Sequence, residues 1–323
     1  MVDLMAEVEN LRRKCIGCGK CSRVCPSLKH GGMDPMEMMI SGEGDINQCI
    51  ACGNCSKVCR RSDPYAVMRN LIAIAKDSHP SAAFNQYGTT MPSAEDPVDP
   101  GWDGDEVSIM PGCVVNGKLP YLRRAARASV SAVGGTSKEL EGWTCCMHPV
   151  MVRELGEMVR HSYRAKMGVT AQGSQLVTLC GGCSEELSDD GVKAEHIVSF
   201  LHRNIDKLPR FPEGYRVAME PGCAVEPIAG EMKDIIAALG CEVVNKTYGC
   251  CGKSAPVAVP LMAERQKECS GADFVVVACP MCQVKYDSYE GGLPVVHIAE
   301  LVAMAAGDNA TLGFHKIPVR THD

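Results

Sequence analysis

Two cysteine-rich stretches near the start of the chain, CIGCGKCSRVC at residues 15–25 and CIACGNCSKVC at residues 49–59, determine the fold of its first part. Both have the spacing C-x2-C-x2-C-x3-C, and each cysteine of the second stretch lies 34 residues after its counterpart in the first. Proline follows only the first stretch, as Pro26, whereas Arg60 follows the second. This doubled spacing is typical of a small domain that holds two 4Fe-4S clusters.

The spacing also predicts which cysteines share a cluster. Three thiolates two residues apart can surround one cluster, whereas the fourth opens a helix, points away and binds the other cluster. We therefore expect two cubane 4Fe-4S clusters, the first held by Cys15, Cys18, Cys21 and Cys59 and the second by Cys49, Cys52, Cys55 and Cys25. Small residues within these stretches, Gly17, Gly19, Ala51 and Gly53, let backbone N–H groups approach the sulfur atoms. Zinc is the alternative, but zinc sites use two C-x2-C pairs rather than a doubled triplet.

The composition excludes several classes of protein. The chain has 323 residues, enough for two or three domains, and 20 of them are cysteines. Its net charge of -6 argues against a general nucleic-acid partner. No apolar run approaches the ~18 residues of a membrane span, and the first residues, MVDLMAEVEN, lack the pattern of a signal peptide. We therefore expect a cytoplasmic protein, in which cysteines stay reduced and bind metal rather than form disulfides.

A second cysteine pattern, C…CC…CxxC, occurs twice in the rest of the chain. The first copy consists of Cys113, Cys145, Cys146, Cys180 and Cys183, and the shorter second copy consists of Cys223, Cys250, Cys251, Cys279 and Cys282. The tripeptide PGC opens both copies. A histidine follows each copy at a similar distance, His196 in HIVSFL and His297 in HIAELV. The repetition indicates an internal duplication, and the matching positions of the histidines favour a structural role at helix starts.

Apolar runs alternate with helical patterns through the second part of the chain. The predicted strands are VSIM, LVTL, RVAM, EVV and FVVVA, and the predicted helices cover 117–133, 151–171, 226–239 and 297–306. Ser62, Asp63 and Pro64 form a helix-start signal directly after the second cysteine stretch. Alternation of strands and helices predicts α/β units with parallel strands, and the cysteines follow strand ends, where open α/β sheets place ligands.

These patterns predict an α+β protein with a helical amino-terminal region. The expected domains are a ferredoxin-like domain with two cubane clusters at 1–84, a linker at 85–106, a first α/β repeat at 107–213, a second at 214–306 and a tail at 307–323. The linker is rich in proline, glycine and acidic residues, as inter-domain segments commonly are.

The two C…CC…CxxC copies resemble the CCG domain found in the B subunit of heterodisulfide reductase. The preceding pair of cubane motifs resembles the C subunit of that enzyme, so the chain looks like a fusion of the C and B subunits. It is also similar to the D subunit of membrane-bound heterodisulfide reductase and to the B subunit of thiol:fumarate reductase. The resemblance covers nearly the whole chain, and it implies that the α/β part is a duplicated CCG domain.

The resemblance implies a five-cysteine noncubane 4Fe-4S cluster in each copy. The first would use Cys113, Cys145, Cys146, Cys180 and Cys183, and the second Cys223, Cys250, Cys251, Cys279 and Cys282. Two departures from the family pattern are visible. The first copy reads CCM, with Met147 in place of glycine, and the gaps of the second copy are shorter than those of the family.

The resemblance further implies that the chain reduces a heterodisulfide of two thiol coenzymes, of the CoM-S-S-CoB type found in methanogens. Cleaving a disulfide takes two electrons, whereas iron–sulfur clusters deliver them singly, so paired clusters can each bind one sulfur and supply one electron. Thiol oxidation coupled to fumarate reduction is one alternative, and non-catalytic electron transfer for a flavin oxidoreductase is another. No G-x-G-x-x-G fingerprint adjoins a predicted strand, so we expect no flavin in this chain and a flavoprotein or other donor or acceptor subunit as partner.

Several other residues have both a chemical and a structural interpretation. His148 is a candidate proton donor to a leaving thiolate, and Lys253 is a candidate ligand for an anionic substrate group, but structural roles are equally consistent with the sequence. Cys241 and Cys269 fit neither pattern and are expected to be buried as small apolar residues. The residues Arg123, Arg124 and Arg127 share one helix face, which is expected to be solvated, with docking to an anion or acidic partner as the alternative.

Overall fold

The computed structural model describes residues 4–75, 86–146, 148, 174–189, 191–252, 255–319 and 321. These residues form two compact units. The first unit contains residues 4–75, 148, 250–252 and 255–264, and the second contains the other described residues. Within the described residues of both units, no helix combines the length and apolar character that crossing a membrane requires.

The amino-terminal part of the first unit is made of short helices around the two cysteine stretches. They are α1 (Leu4–Arg12), α2 (Lys20–Arg23), α3 (Pro26–Lys29), α4 (Pro35–Ile40), α5 (Asn54–Lys57) and α6 (Pro64–Ala75), with a 3-10 turn at Ile46–Gln48. Helix α1 packs against α6. A small core of valine and methionine side chains lies between the helices and consists of Val8, Met33, Met38, Met39, Val67 and Met68. Methionine suits this core because its flexible side chain fills irregular gaps.

Helix α6 begins where the Ser–Asp–Pro signal predicts. The Asp63 carboxylate accepts a hydrogen bond from the Ala66 N–H at 2.9 Å, which satisfies a free donor of the first turn. The Ser56 hydroxyl accepts from the Tyr65 N–H at 2.7 Å. Because Pro64 has no N–H to satisfy, it is well suited to the first position of the helix.

The second unit contains two parallel four-stranded sheets. The strands are β1 (Val107–Met110), β2 (Ser137–Glu139), β3 (Gln175–Thr178) and β4 (Ala194–His196) in one sheet, and β5 (Arg216–Glu220), β6 (Glu242–Val243), β7 (Phe274–Val277) and β8 (Val295–His297) in the other. The strand orders are β2-β1-β3-β4 and β6-β5-β7-β8, so the second sheet repeats the first. The predicted fold class, helices followed by parallel α/β units, is confirmed.

Helices lie between the strands along the chain. They are α7 (Cys113–Lys118), α8 (Leu122–Ala132), α9 (Gly181–Asp189), α10 (Ile197–Arg203), α11 (Ala229–Ala238), α12 (Ala258–Glu268), α13 (Pro280–Asp287) and α14 (Ile298–Ala305), with 3-10 turns at Ile205–Lys207, Glu226–Ile228 and Leu312–Phe314. The predicted helix at 117–133 is two helices, because Pro120 lies between α7 and α8 and cannot donate a helical hydrogen bond. The helix predicted at 151–171 lies outside the described residues.

The helices of the two halves pack reciprocally. Helix α10, which follows β4, packs against α11 of the second half, and helix α14, which follows β8, packs against α8 of the first half. One apolar cluster therefore includes side chains from both sheets and both helix pairs. This shared core joins the two halves of the second unit into one folding body.

Both repeat histidines cap helices, as predicted. The Nδ1 atom of His196 accepts a hydrogen bond from the Val198 N–H at 3.2 Å at the start of α10. The Nδ1 atom of His297 accepts from the Ala299 N–H at 3.3 Å at the start of α14. Each histidine is the last residue of an edge strand, so it turns the chain directly from strand into helix.

The prediction that three arginines of α8 form a solvated face is wrong. The Arg123 guanidinium donates to Glu139 at 2.8 Å, and Arg124 donates to Asp308 at 2.8 Å. Arg127 donates to the Pro100 carbonyl at 3.1 Å. The sequence pattern could not show this arrangement, because all three partners are distant in sequence and reach the helix only through the fold.

The carboxyl-terminal segment is held to the second sheet by a buried carboxylate. Glu300 Oε1 lies 3.1 Å from His315 Nε2 and accepts a hydrogen bond from Thr311 at 2.7 Å. Its other oxygen accepts from Gln283 at 2.8 Å and from the backbone N–H of His297 at 2.9 Å. Burial alone would raise the pKa of Glu300, yet the His315 charge and these hydrogen bonds hold that pKa below its ordinary value.

Candidate iron–sulfur centres

The cysteines of the amino-terminal stretches line two separate cavities. Cys15, Cys18, Cys21 and Cys59 line a cavity of about 210 Å³. Cys25, Cys49, Cys52 and Cys55 line a smaller one of about 20 Å³. In each cavity, three cysteines come from one stretch and the fourth comes from the other, which is the grouping that the spacing predicts for the ligands.

The two stretches have matching backbone conformations. Gly17 and Ala51 occupy equivalent positions and have φ angles of 66° and 51°, and Gly19 and Gly53 have φ angles of 70° and 79°. Left-handed conformation turns successive N–H groups toward a common side of the loop. The Ala51 N–H donates to Cys49 Sγ at 3.4 Å, as expected of a loop that directs N–H groups at thiolate sulfur.

The donor set suits iron–sulfur clusters. Burial raises the pKa values of Cys21, Cys25 and Cys55, because a thiolate is poorly solvated there. Such thiols need a bound cation to be held as thiolates, and iron supplies that charge when thiolate ligands surround it. The Ser62 N–H also donates to Cys59 Sγ at 3.4 Å.

In the second unit, four cysteines follow the carboxyl ends of central strands. Cys113 and Cys180 follow the neighbouring strands β1 and β3, and Cys223 and Cys279 follow the neighbouring strands β5 and β7. Parallel strands bring their carboxyl ends to one edge of the sheet, which is where α/β folds place ligands.

The first five-cysteine set converges at this edge. Cys146 Sγ lies 3.3 Å from Cys183 Sγ. A hydrogen bond with Cys145 lowers the pKa of Cys113, and one with Cys183 contributes to lowering that of Cys180. These contacts connect the Cys145–Cys146 pair to the cysteines that follow β1 and β3. The arrangement suits a group that binds several thiolates at once.

Glycine is required beside the first cysteine of both sets. A Cβ atom on Gly112 would lie 3.1 Å from Cys183 Sγ, and one on Gly222 would lie 3.2 Å from Cys282 Sγ. Both glycines have positive φ angles, 82° and 89°. The repeated PGC sequence therefore turns the chain away from the strand while leaving room for the CxxC sulfur.

The cysteines of the second five-cysteine set are divided between the two units. Cys223, Cys279 and Cys282 belong to the second unit, whereas Cys250 and Cys251 belong to the first and are buried there. Cys250 Sγ accepts a hydrogen bond from the Gly252 N–H at 3.4 Å. An N–H donor two residues after the cysteine is also present at Cys49 in the amino-terminal region.

The CxxC cysteines of the two halves are neighbours. A hydrogen bond between Cys180 and Cys279 raises the pKa of Cys279, and burial reinforces that shift. The capping histidines His196 and His297 are buried beside them, and burial lowers the pKa of His196 to about 3. Both imidazoles are therefore neutral at neutral pH.

The sequence patterns did not predict the buried ion pair between Glu220 and Arg265. Glu220, at the end of β5, is bonded to the Arg265 guanidinium, and its other oxygen accepts from the Gly249 N–H at 3.0 Å. Arg265 also donates to the Thr247 carbonyl at 2.6 Å. Together they hold the segment that leads into Cys250. The signal in the sequence was a charged residue ending the apolar strand RVAME, where the first half has Met110.

The structure describes three of the four remaining candidates from the sequence. His148 is half-buried, and Lys253 lies outside the described residues. Cys241 and Cys269 are buried, as predicted. Cys269 is not in a purely apolar environment, because its Sγ lies 3.8 Å from Glu220 Oε1. Within the described residues, no group of three or more His, Cys, Asp or Glu side chains is arranged so that it could hold a single metal ion.

The fold and the cysteine clusters define an iron–sulfur electron-transfer subunit of an oxidoreductase. Residues 7–60 match the family of the 4Fe-4S dicluster domain. The chain is related, at modest identity, to subunits of heterodisulfide and fumarate reductases. It is 23% identical to the B subunit of the ferredoxin/F(420)H(2)-dependent CoB-CoM heterodisulfide reductase of Methanosarcina acetivorans over 268 residues, covering 62% of this chain and 89% of that one.

Two further relatives are fumarate reductase subunits. The B subunit of the fumarate reductase (CoM/CoB) of Methanothermobacter marburgensis is 25% identical over 91% of this chain, which spans 62% of that relative's length. The 8-methylmenaquinol:fumarate reductase membrane anchor subunit of Wolinella succinogenes is 25% identical over 62% of this chain and 92% of its own length. A crystal structure of a hypothetical protein from Helicobacter pylori shares the fold, with a TM-score of 0.56 at 10% identity over 85% of this chain and 66% of that one.

Proposed function

We propose that the chain carries single electrons through two cubane clusters to a pair of noncubane 4Fe-4S clusters, where a heterodisulfide of two thiol coenzymes is reduced. The observation that carries the proposal is that Cys180 and Cys279, the first CxxC cysteines of the two predicted five-cysteine sets, lie close enough for each to shift the pKa of the other. Two neighbouring CxxC motifs suit a substrate with two sulfur atoms. The relatedness to the B subunit of a heterodisulfide reductase supports the same chemistry.

The proposed ligands follow from the predicted sets. The cubanes use Cys15, Cys18, Cys21 and Cys59, and Cys49, Cys52, Cys55 and Cys25. The noncubane clusters use Cys113, Cys145, Cys146, Cys180 and Cys183, and Cys223, Cys250, Cys251, Cys279 and Cys282. When bound, the paired clusters supply one electron each and an iron for each substrate sulfur. The balanced reaction takes one disulfide, two electrons and two protons to two thiols.

The residues of the chain give this reaction a preorganised site. Gly112 and Gly222 leave room beside the CxxC sulfur atoms. His196 and His297 are buried and neutral, so they add no charge next to Cys180 and Cys279.

Thiol oxidation coupled to fumarate reduction is the second candidate. The relative that matches 91% of the chain is the B subunit of a CoM/CoB fumarate reductase, and the match therefore includes both the dicluster region and the repeated part. In that reaction the same electrons flow in the opposite direction, from the thiols to a partner subunit. The partner is a flavoprotein or another donor or acceptor subunit in either case.

Metal content and turnover together test the proposal. Four clusters of four irons give about 16 iron atoms per chain after anaerobic purification. With a low-potential dye as donor, the complex should reduce a mixed disulfide of two thiol coenzymes. The variants Cys145→Ser and Cys250→Ser should abolish turnover, whereas Cys18→Ser should impair electron supply from the natural partner more than from the dye.

The outcomes separate the candidates. A chain with about 8 iron atoms and only cubane spectra contradicts the noncubane clusters. A fully loaded complex that turns over no disulfide or dithiol pair is instead a non-catalytic electron-transfer subunit. Preferential thiol oxidation with a fumarate-reducing flavoprotein favours the second candidate.

A further inference from the structure

The two cysteine stretches of the amino-terminal region have the same sequence pattern but differ in exposure at two matching positions. Ile16, the residue after the first cysteine of the first stretch, is 65% exposed. Its counterpart 34 residues later, Ile50, is only 2% exposed. Cys18 is likewise exposed, whereas its counterpart Cys52 is half-buried. One candidate cubane site thus has an exposed cysteine at its edge, whereas all four cysteines of the other are half-buried.

The exposed site has a basic rim. Lys20, Arg60 and Arg61 line the cavity around Cys18, are exposed, and form no ion pair with any residue that the structure describes. None of the described residues that line this cavity is acidic. The positions 34 residues away are Asn54, Pro26 and Ser27, none of them charged. The local excess of positive charge contrasts with the net charge of -6 of the whole chain.

An apolar centre lies within this rim. Ile40 is 56% exposed, and its Cδ1 lies 3.2 Å from where a Cβ on Gly17 would be, so it packs on the loop between Cys15 and Cys18. Ile16 and Ile40 therefore expose neighbouring apolar surface beside the cysteine that is itself exposed. Exposed apolar surface with a polar rim is typical of protein-binding sites.

We propose that this surface, made of Ile16, Cys18, Lys20, Ile40, Arg60 and Arg61 and called here the Ile16 face, docks an electron-carrier protein that has acidic residues around an apolar centre. The inference rests on the proposed function in taking Cys18 as a cluster ligand. Each encounter moves one electron: the reduced carrier loses it, and the cluster gains it. Two encounters supply the two electrons that one disulfide requires.

Charge complementarity makes a protein carrier the favoured occupant. Three clustered cations accelerate encounter with an acidic surface, and salt screens that attraction over about 10 Å at 0.1 M. A single exposed cysteine at the centre of the face suits a partner that brings one redox group to one point. A second copy of this chain, or an anionic lipid surface, would use the same charges without needing the exposed cysteine.

The test measures electron transfer into the loaded, full-length chain. Reduced flavodoxin, an acidic one-electron carrier, is mixed anaerobically with the protein in a stopped-flow instrument, and reduction of the clusters is followed at several salt concentrations. The variant Lys20→Glu/Arg60→Glu/Arg61→Glu should lower the second-order rate constant about 10-fold at low salt, and the difference should shrink at high salt. Ile16→Ser should lower it several-fold with an unchanged salt dependence.

Controls distinguish a loss of docking from damage to the clusters. The matched variant Lys207→Glu/Arg210→Glu/Lys233→Glu reverses three exposed cations of the second unit and should react as the wild type does. Reduction by methyl viologen, a small dye that needs no docking surface, should be equal in all variants at high salt, where the positive charge of the dye is screened. Iron content should be equal as well.

Several results would overturn the proposal. These are equal flavodoxin rates in the wild type and the charge-reversed variant, equal losses with viologen, and a wild-type protein that flavodoxin does not reduce. A change in oligomeric state on charge reversal assigns the face to self-association, and loss of binding to phosphatidylserine vesicles assigns it to a membrane. If flavodoxin reduces the clusters but no disulfide turns over, the proposed function fails while the docking face stands.

Discussion

The buried pair Glu220–Arg265 allows a quantitative test of how the second half holds its cysteine loop. Glu220 is 1% exposed and Arg265 is 6% exposed. Glu220 accepts from Arg265 Nε at 3.2 Å and from the Gly249 N–H at 3.0 Å. Burial raises the pKa of Glu220, and the guanidinium offsets that only in part. The substitution Glu220→Met copies Met110 from the equivalent position of the first half.

Removing the carboxylate alone leaves a buried guanidinium without its counter-charge. Breaking one side of a buried pair typically costs about 3–5 kcal/mol, so we expect Glu220→Met to lower the free energy of unfolding by that amount. Arg265→Met should have a similar cost for the converse reason. The double variant leaves no buried charge, although it loses the acceptor for the Gly249 N–H and the donor for the Thr247 carbonyl; buried groups left without partners cost about 1–3 kcal/mol.

Anaerobic urea unfolding of the four proteins gives the coupling energy, provided that the slopes agree. Hydrogen exchange of residues 245–250 checks that the effect is local. We expect the double variant to be more stable than either single variant. Additive losses, with the double variant the least stable, would refute the reasoning that the pair acts as one unit.

Three further predictions concern other buried groups. His315→Gln should lower stability more at pH 6 than at pH 9, as measured by thermal unfolding. Burial disfavours the charged ring, but Glu300 outweighs burial and raises the pKa of His315 above 6.5, so the stabilisation is complete below about pH 6.5 and lost as pH rises through the raised pKa. A pH-independent cost would contradict the ion pair. Cys241→Ala should leave the iron content unchanged, and loss of about four irons would show that the second ligand set is shifted. His196→Ala should lower the free energy of unfolding by about 1 kcal/mol or more through loss of the helix cap, whereas His196→Asn, which keeps an acceptor, should retain most of it.

The sequence predicted the central strands because they are continuously apolar. VSIM and FVVVA correspond to β1 and β7, which are buried along their whole length. The edge strands β2 and β4 read SKE and AEH, and such short and mostly polar segments carry no strand signal. Their pairing depends on backbone hydrogen bonds to a neighbour that a local pattern does not contain.

Interactions between residues that are far apart in the sequence account for the other features that the sequence did not predict. The cysteine spacing predicted which cysteines of the amino-terminal stretches meet, because that grouping follows from local geometry. The attachment of Arg124 to Asp308 joins residues 184 positions apart and has no local signature. The buried Glu220–Arg265 pair was equally hidden, although the acidic residue ending an apolar strand is a usable signal. The cluster ligands themselves stay a prediction.

The order of the cysteines along the chain has a consequence for biosynthesis. Both amino-terminal cavities have all their cysteines once residue 59 has left the ribosome, whereas the later sets are complete only at Cys183 and Cys282. Cys113 must wait for β3 to pair with β1 across 64 intervening residues. Pairing of such distant parallel strands is slow. Nascent chains therefore spend a period with finished amino-terminal sites and open, oxidisable thiols behind them, so the repeated cysteine sets are most vulnerable to oxidation while the chain is still being made.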